Sequence, residues 1–406
     1  MHTLVVLLAS ALWLDGSLAA QQPHIPPQSI ADLEAAARRD SNDAFVHYRL
    51  AMAYRDKKHW DEAEHSLHEA LAVAPNYADA HLALGVTHLE RGESYWTDRL
   101  KSQGREKTDS ELIEAQQQII HAFKLNPLVD LRVFGKYDPP RGILLVSRGR
   151  TYRLPVEPWW TSELIKAVNE LQQAKYQEGF DRLKELAADK RFGGDDRTLP
   201  ARILLYHGLA AAHLQNYDVA VRDFAILTGR SFAAEQDSTR RDAAWLPLKT
   251  NDYRYIMGTM LYLGNRYDEA IPVFRRVLEV DVSLYESHVQ LARMYEAEGK
   301  LDDALNERRL ALDVDQDDPD LLVELAETLL KADRNAEAEE ALAQAAHLNP
   351  RDPRAPYLEG ITAEAAGQVG RAREAYTRFL DIAPSRFADE ITEVKNHLAA
   401  LPEGGP

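Results

Sequence analysis

The sequence predicts an all-α solenoid of antiparallel helix pairs, a prediction that depends on two spacings and on the composition. Alanines recur every 34 residues in the C-terminal half of the chain: Ala270, Ala304, Ala338 and Ala372. Twelve residues before each alanine stands a small residue: Gly258, Ala292, Ala326 and Gly360. The chain has 406 residues, of which 45% are hydrophobic, so it has enough apolar side chains for one elongated array with a continuous core.

Close packing of two helices explains this pattern. Where helices cross, only Gly or Ala lets the backbones approach, and a larger residue beside the crossing fills the groove. Larger residues do stand four positions after the alanines: Phe274, Arg308, Leu342 and Tyr376. The pattern resembles the tetratricopeptide repeat family, and Pro350 and Pro384 close two of the units. The resemblance implies a right-handed superhelix of about seven or eight helix pairs.

The first twenty residues are typical of an export signal. The run from Leu4 to Leu14 is apolar except for Ser10, and Ser17 and Ala19 occupy the small-residue positions before a cleavage site. The run lacks the usual preceding Lys or Arg, so a buried first helix or a misplaced start is the alternative. No later stretch is apolar for the length that a transmembrane helix needs. We therefore expect a periplasmic or secreted protein without a transmembrane segment.

Composition excludes several classes of function. The chain has no cysteine, which excludes disulfides, thiolate metal sites, a cysteine nucleophile and an acylated N-terminal cysteine. Its formal net charge of −17 argues against nucleic acid or an anionic membrane as the main ligand.

Residues 59–75, "HWDEAEHSLHEALAVAP", contain three histidines and four carboxylates, which are potential metal ligands. In the repeat frame they form the second helix of a pair, with Ala63, Leu67 and Ala70 packed inward. His65 and His68 then lie on the opposite side, next to Glu62 and Glu69. The sequence therefore favours a solvated helix face over a metal site, and we predict no metal and no cofactor.

The repeat frame divides the chain into segments. A signal peptide (1–20) and a leader with a first helix (21–43) precede repeats with an insertion at about 92–110 (44–127) and a basic insertion (128–160). A degenerate helix pair (161–200), repeats with an insertion at about 228–250 (201–384) and a capping helix with a tail (385–406) complete the chain.

The insertion at 128–160 does not fit a helix pair. It contains four prolines and six Lys or Arg against three Asp or Glu, and "ILLVS", a tight "RG" and "RTYRLPV" indicate a small β-hairpin. Two interpretations stay open: a basic flap that contacts a partner through Arg148 and Arg150, or a structural plug between two stacks of repeats. Exposure of its arginines, which also include Arg141 and Arg153, distinguishes them.

Residues 313–324, "DVDQDDPDLLVE", place oxygen ligands as a helix-loop-helix calcium loop does. Asp318 stands at the sixth position, where such a loop needs glycine for its sharp turn. The repeat frame instead makes this stretch a connection between two units, and calcium stays an alternative. The surrounding residues 281–350 contain 18 Asp or Glu and 6 Lys or Arg, which is either a solvated face or a landing surface for a basic protein.

The resemblance also implies a partner-binding groove lined by the second, fifth, ninth and twelfth residues of each unit. Carried onto this chain, and taken with the two flap arginines, it predicts these partner-binding residues: Tyr48, Met52, Arg55, Tyr255, Tyr262, Arg293, Tyr357, Arg148 and Arg150. Tyrosines with scattered charges suit an extended peptide or an amphipathic helix. Some of the tyrosines have the alternative role of filling a narrow superhelix.

No catalytic motif is present, so the sequence predicts a non-enzymatic scaffold for protein–protein interaction or assembly in the periplasm or cell envelope. The expected partner is a protein or peptide, with a peripheral envelope complex or homo-oligomer as further options. The alternative is a calcium- or metal-dependent module, or an enzyme with a site built across repeats.

Overall fold

The computed structural model describes residues 29–99, 105–134, 143–147, 150–154, 159–195, 199–236 and 248–402. The expected export signal at 1–20 lies outside these ranges. Contacts divide the chain into two compact units, one made of residues up to Asn126 together with those from Asp281 onward, and one spanning Pro127–Val280.

The fold is an all-α array of antiparallel helix pairs. The first unit contains α1 (Ile30–Arg39), α2 (Ala44–Asp56), α3 (Trp60–Val73), α4 (Ala78–Arg99) and α5 (Arg105–Leu125). The second contains α6 (Thr161–Leu171), α7 (Tyr176–Ala187), α8 (Ala201–His213), α9 (Tyr217–Gln236), α10 (Thr250–Leu263) and α11 (Tyr267–Val280). The first unit continues with α12 (Tyr285–Ala297), α13 (Leu301–Val314), α14 (Pro319–Lys331), α15 (Asn335–Leu348), α16 (Arg354–Ala365), α17 (Val369–Ile382) and α18 (Ala388–Ala400).

Each helix pair is held by a small residue on its first helix and a larger residue on its second. Except in α4/α5, the two residues are 16 positions apart, as in Ala51 with Leu67, Ala167 with Leu183, Gly208 with Phe224 and Gly258 with Phe274. A Cβ added to Gly258 would lie 3.1 Å from the Phe274 ring, and one added to Gly360 would overlap the Tyr376 ring. The helix packing predicted from the 34-residue period is therefore confirmed, and it extends to the pair α6/α7.

The turn inside most pairs uses one left-handed residue. Seven pairs place a residue with φ between +57° and +74° fourteen positions after the first residue of the unit: Lys58, Ala174, Gln215, Asn265, Gly299, Asp333 and Gly367. Glycine adopts this conformation without strain, whereas the five other residues do so at some cost, because their Cβ crowds the backbone. The tight turn makes the second helix antiparallel to the first.

Described residues of two insertions belong to lengthened helices. The extra residues near 92–110 lengthen α4 and α5, so that Gly85 meets Ile119 after 34 positions instead of 16. The start of the 228–250 insertion continues α9 to Gln236. At the C-terminus a short 3-10 helix, Ser385–Phe387, leads into α18, whose Val394 is fully buried.

The expected β-hairpin is present. Strand β1 (Ile143–Ser147) pairs antiparallel with β2 (Arg150–Leu154), and Ser147 lies opposite Arg150 across a two-residue connection. Arg141 and Arg148 lie outside the described residues, so the choice between flap and plug stays open.

Within the first unit, a polar seam joins residues far apart in sequence. We define it as the helix junctions at 40–43, 73–76, 349–351 and 382–386 together with Asp318. The Asn349 side-chain amide donates to the Val73 carbonyl at 3.0 Å, and the Asn76 amide donates to the Asp318 carboxylate at 2.9 Å. Arg351 donates to Asn42 at 3.0 Å, and the Asn42 amide donates to the Ile382 carbonyl at 3.2 Å.

The first unit has two arms, residues up to Asn126 and residues from Asp281 onward. The seam contacts pair these arms in antiparallel order, because the junction nearest the N-terminus contacts the one nearest the C-terminus. Buried polar groups such as Asn349 make the seam specific, because an unpaired carbonyl or amide away from water is costly.

We expect Gly360→Ala to lower the free energy of unfolding by about 1–3 kcal/mol, because the added methyl overlaps the buried Tyr376 ring. Gly370→Ala in α17 is the matched control: no atom lies within 4 Å of its added Cβ, so it should be neutral or stabilising. Urea unfolding of both variants checks this, and equal effects would contradict the packing argument.

We expect Asn349→Ala to cost about 1–3 kcal/mol, because it leaves the Val73 carbonyl without its donor. Hydrogen exchange followed by mass spectrometry should show faster exchange around 40–43 and 73–76. Asn335→Ala, at an exposed site on the neighbouring α15, should leave these segments unchanged. Unchanged exchange in Asn349→Ala would show that the seam does not hold the arms together.

Candidate functional site

Three of the four predicted groove tyrosines are buried. Tyr48, Tyr255 and Tyr357 are at most 4% exposed. Tyr48 packs against Tyr77 with ring centroids 5.4 Å apart, Tyr255 against Phe274 at 5.6 Å and Tyr357 against Phe379 at 5.4 Å. They act as packing residues in this conformation, as in the narrow-superhelix alternative, and binding through them stays a prediction.

The other predicted groove residues are more varied. Tyr262 is half-buried and stacks on Tyr267, and Met52 is half-buried beside Arg55. Arg55 is buried and pairs with Glu90 at 3.2 Å. Arg148 lies outside the described residues, and Arg150 begins β2. Partner binding by these residues is untested.

Arg293 belongs to a cluster of charged side chains on α12, α13, α14 and α16 and at Asp352, just before α16, which we call the charge cluster. The cluster comprises four cations and five carboxylates: Arg293, Arg308, Lys331, Arg354, Glu296, Asp320, Glu324, Glu327 and Asp352. Some of its members occupy positions that are predicted to line the groove. Asp320 and Arg354 are the second residues of their units, and Arg293 and Glu327 are the ninth residues of theirs.

Arg308 is the centre of the charge cluster. It occupies the large-residue position of the pair α12/α13, where other pairs have Leu, Ile, Phe or Tyr, and it is only 4% exposed. Its guanidinium contacts Glu324 and reaches Glu296 at 3.2 Å. Arg293 donates to the other oxygen of Glu324 at 2.8 Å. A buried arginine at this position requires such carboxylates, because an unpaired charge in the core is strongly destabilising.

The nearby cations lower the pKa values of both Glu324 and Glu296. Burial alone would raise the pKa of Glu324, but the charges of Arg308 and Arg293 lower it to about 2. Glu296 is half-buried like Glu324; its partial burial raises its pKa, but Arg308 and Lys331 hold the pKa below the usual range, and the Lys331 ammonium lies 2.7 Å from the carboxylate. Both carboxylates therefore stay ionised at neutral pH.

A second part of the charge cluster joins α14 to α16. Arg354 donates to both oxygens of Asp352 at 2.6–3.0 Å and also contacts Asp320. Burial opposes the charge of Arg354, but the two carboxylates hold its pKa well above the usual range. Arg354 is thus fixed by two acidic partners.

Glu327 differs from the other members of the charge cluster. It is half-buried on α14, and among the described residues no hydrogen bond or ion pair reaches its carboxylate. Burial raises its pKa to about 7, Glu324 adds to this, and Arg354, Lys331 and Arg308 oppose it. The cluster therefore contains one carboxylate more than its cations satisfy.

Sequence reasoning missed most of this site. Asp320 and Glu327 occupy the second and ninth positions of a unit that the groove prediction left out. The signal for Arg308 was present, since a charged residue stands where packing needs a large apolar one, but its partners are 12 and 16 residues away and belong to different helices.

The calcium interpretation of 313–324 does not match the contacts. Asp318 caps α14 by accepting from the backbone amides of Asp320 at 2.8 Å and Leu321 at 3.2 Å. Glu324, which would be the last ligand, faces two arginines. The stretch is a helix junction, as the repeat frame predicts.

The metal interpretation of 59–75 can also be compared with the structure. Ala63, Leu67 and Ala70 are fully buried, and His65 and His68 are exposed, as the helix periodicity predicts. Over the described ranges, no three His, Cys, Asp or Glu side chains are placed to hold a metal ion. Nor does any helix in those ranges have the length and apolar character needed to cross a membrane.

Sequence profiles of the tetratricopeptide repeat match residues 257–319 and 323–387, and a further one matches residues 44–77. The chain belongs to the tetratricopeptide repeat family. Membership makes it a scaffold of the kind that binds peptides or proteins. No curated protein matches the sequence.

Solved structures of other repeat proteins are similar to the chain. The C-terminal part of a TPR repeat-containing protein from Cytophaga hutchinsonii is 16% identical, with 58% of this chain and 86% of that chain covered and a TM-score of 0.45. Pseudomonas aeruginosa pilF is 14% identical, with 59% and 96% covered and a TM-score of 0.39. YrrB, titled a TPR protein with an unusual peptide-binding site, is 18% identical, with 48% and 88% covered and a TM-score of 0.34. At these values the neighbours carry no conclusion about what this chain binds.

We expect Arg308→Leu to lower the free energy of unfolding by about 3–5 kcal/mol at pH 7, because it leaves the half-buried Glu296 and Glu324 without the cation that they share. The low pKa of Glu324 in the folded state stabilises the protein above the unfolded pKa, and this contribution is lost as pH falls toward 2. The deficit of the variant should therefore shrink at pH 3.5.

Arg309→Leu is the matched control for this prediction, since Arg309 is exposed and its partner Glu337 is also exposed. It should cost less than about 1 kcal/mol at either pH. Urea unfolding at the two pH values measures both variants. A deficit in Arg308→Leu that does not change with pH would show that lost packing, not lost charge, causes it.

Proposed function

We propose that this chain is an exported scaffold that binds a peptide or helix of a partner protein along the faces of α12, α14 and α16 that carry the charge cluster. The observation that carries the proposal is the cluster itself. It places ion-paired, partly buried side chains of three successive units at the positions that the family uses for partner contacts. Charged side chains held at fixed places favour one register of a bound segment, because a like charge brought opposite any of them is repelled.

Apolar contacts support the same surface. Ile361 follows Arg293 and Glu327 at the ninth position of the next unit, and it is half-buried against the core. An apolar anchor beside charged positions is the combination that an amphipathic helix or extended peptide uses.

Export to the periplasm or beyond is part of the proposal. Its support is the apolar run from Leu4 to Leu14, followed by small residues. Assembly of an envelope complex is the role that such a location and a non-catalytic scaffold favour.

Photo-crosslinking in the native host tests the proposal. We expect a crosslinking amino acid at Ile361 to give one dominant protein adduct in the envelope fraction, because this position lies on the proposed binding surface. The matched control is Glu340, an exposed residue on α15, the second helix of the neighbouring pair.

Equal adducts at Ile361 and Glu340 would contradict binding at the charge cluster. Recovery of the full-length chain from the cytoplasm alone would contradict export. Tyr255 is unsuitable for the crosslinker, because its side chain is 1% exposed and packs on Phe274.

A further inference from the structure

We propose that Glu327 is the acceptor for a Lys or Arg side chain of the bound segment, so that the partner presents a basic residue at one fixed position. This inference rests on the proposed function and specifies the chemistry of that same surface. It starts from the ion pairs of the charge cluster, in which one of the five carboxylates has no cation as its partner among the described residues.

Every cation of the charge cluster already has an acidic partner. Arg293 and Arg308 hold Glu324, Lys331 holds Glu296, and Arg354 holds Asp320 and Asp352. Of the five carboxylates, only Glu327 receives no hydrogen bond or ion pair from the described residues.

The cations around Glu327 are not free to turn to it. Arg354 donates to both oxygens of Asp352 and contacts Asp320, so a move toward Glu327 would break several charge-assisted bonds. Lys331 lies 2.7 Å from Glu296, which needs it because burial disfavours that carboxylate's charge. Within the part of the chain that the structure describes, no donor is therefore free to pair with Glu327.

Glu327 is also held in place. Four residues earlier Val323 is fully buried, and three residues later Leu330 is 8% exposed, so both neighbours on that side of α14 are anchored in the core. Burial raises the pKa of Glu327 to about 7, which means that its charge is poorly compensated in the free chain. A bound ammonium or guanidinium would supply both hydrogen-bond donors and the missing positive charge.

A cation fits this place better than any other group. An acidic side chain would be repelled by Glu327, and a neutral one would leave the carboxylate uncompensated. The surrounding stretch 281–350, with 18 acidic and 6 basic residues, attracts the same sign of charge over a longer range.

Selection from a random twelve-residue peptide library against the full chain tests the inference. The protein variants are wild type, Glu327→Gln, Glu327→Lys and the control Glu340→Gln, which removes an equal charge from the exposed face of α15. Thermal unfolding first shows that each variant folds. Affinities of the selected peptides are then compared with those of versions carrying norleucine in place of each Lys or Arg.

We expect wild-type peptides to share a Lys or Arg whose replacement by norleucine weakens binding at least about tenfold. Glu327→Gln should remove this difference, Glu340→Gln should keep it, and Glu327→Lys should select an acidic residue at the same position. Peptides that bind wild type without a basic preference, or whose preference survives in Glu327→Gln, would overturn the inference while leaving the proposed function standing. Failure of wild type to select any peptide would overturn both.

Discussion

Every helix pair of this protein depends on one contact, between a small residue on the first helix and a larger residue on the second. The sizes of the two residues in this contact are complementary. Glycine stands opposite Phe224, Phe274 and Tyr376, whereas alanine stands opposite Leu67, Leu183 and Leu342. Since a glycine has no Cβ, an aromatic ring can lie directly on its backbone, and one added methyl at Gly360 would overlap that ring. The repeated geometry, and with it the placement of every first helix, follows from this fit.

Among the described pairs, α12/α13 differs in having a charged residue at the larger position, and the candidate site is built around this residue. In α12/α13 the larger residue is Arg308, and a buried guanidinium is tolerated only with acidic partners around it. Glu296 and Glu324 come from the helices on either side, so the arginine joins two units through charge where other units are joined by apolar packing. The carboxylates then draw in Arg293 and Lys331. Glu327 has no partner among the described residues, and a residue that destabilises the free chain is what a binding surface commonly contains.

The sequence alone predicts the features that depend on local patterns. The 34-residue period, the small residues and the β-hairpin could be predicted because each rests on local spacing and turn chemistry. Features that depend on residues far apart in the sequence could not be predicted. Glu324 looked like a calcium ligand because its partners Arg293 and Arg308 are 31 and 16 residues away. Likewise nothing in the sequence indicated that Asn349 meets Val73 across the seam, a separation of 276 residues. The tyrosines predicted to line a groove lie on the first helices of their pairs, as the repeat frame predicts, but their burial depends on neighbouring rings, and binding through them stays a prediction.

The pKa values of individual glutamates test the central claim, that among the described residues the half-buried carboxylate of Glu324 is paired with cations and that of Glu327 is not. Carbon-13 NMR of side-chain carboxyls, with glutamate labelled and each signal assigned by a Glu→Gln variant, gives them in the free chain. We predict that Glu327 titrates near pH 7 and that Glu324 stays ionised down to about pH 2. Titration of both near the ordinary value of about 4.3 would show that neither carboxylate is buried among charges, and the account of the site would be wrong.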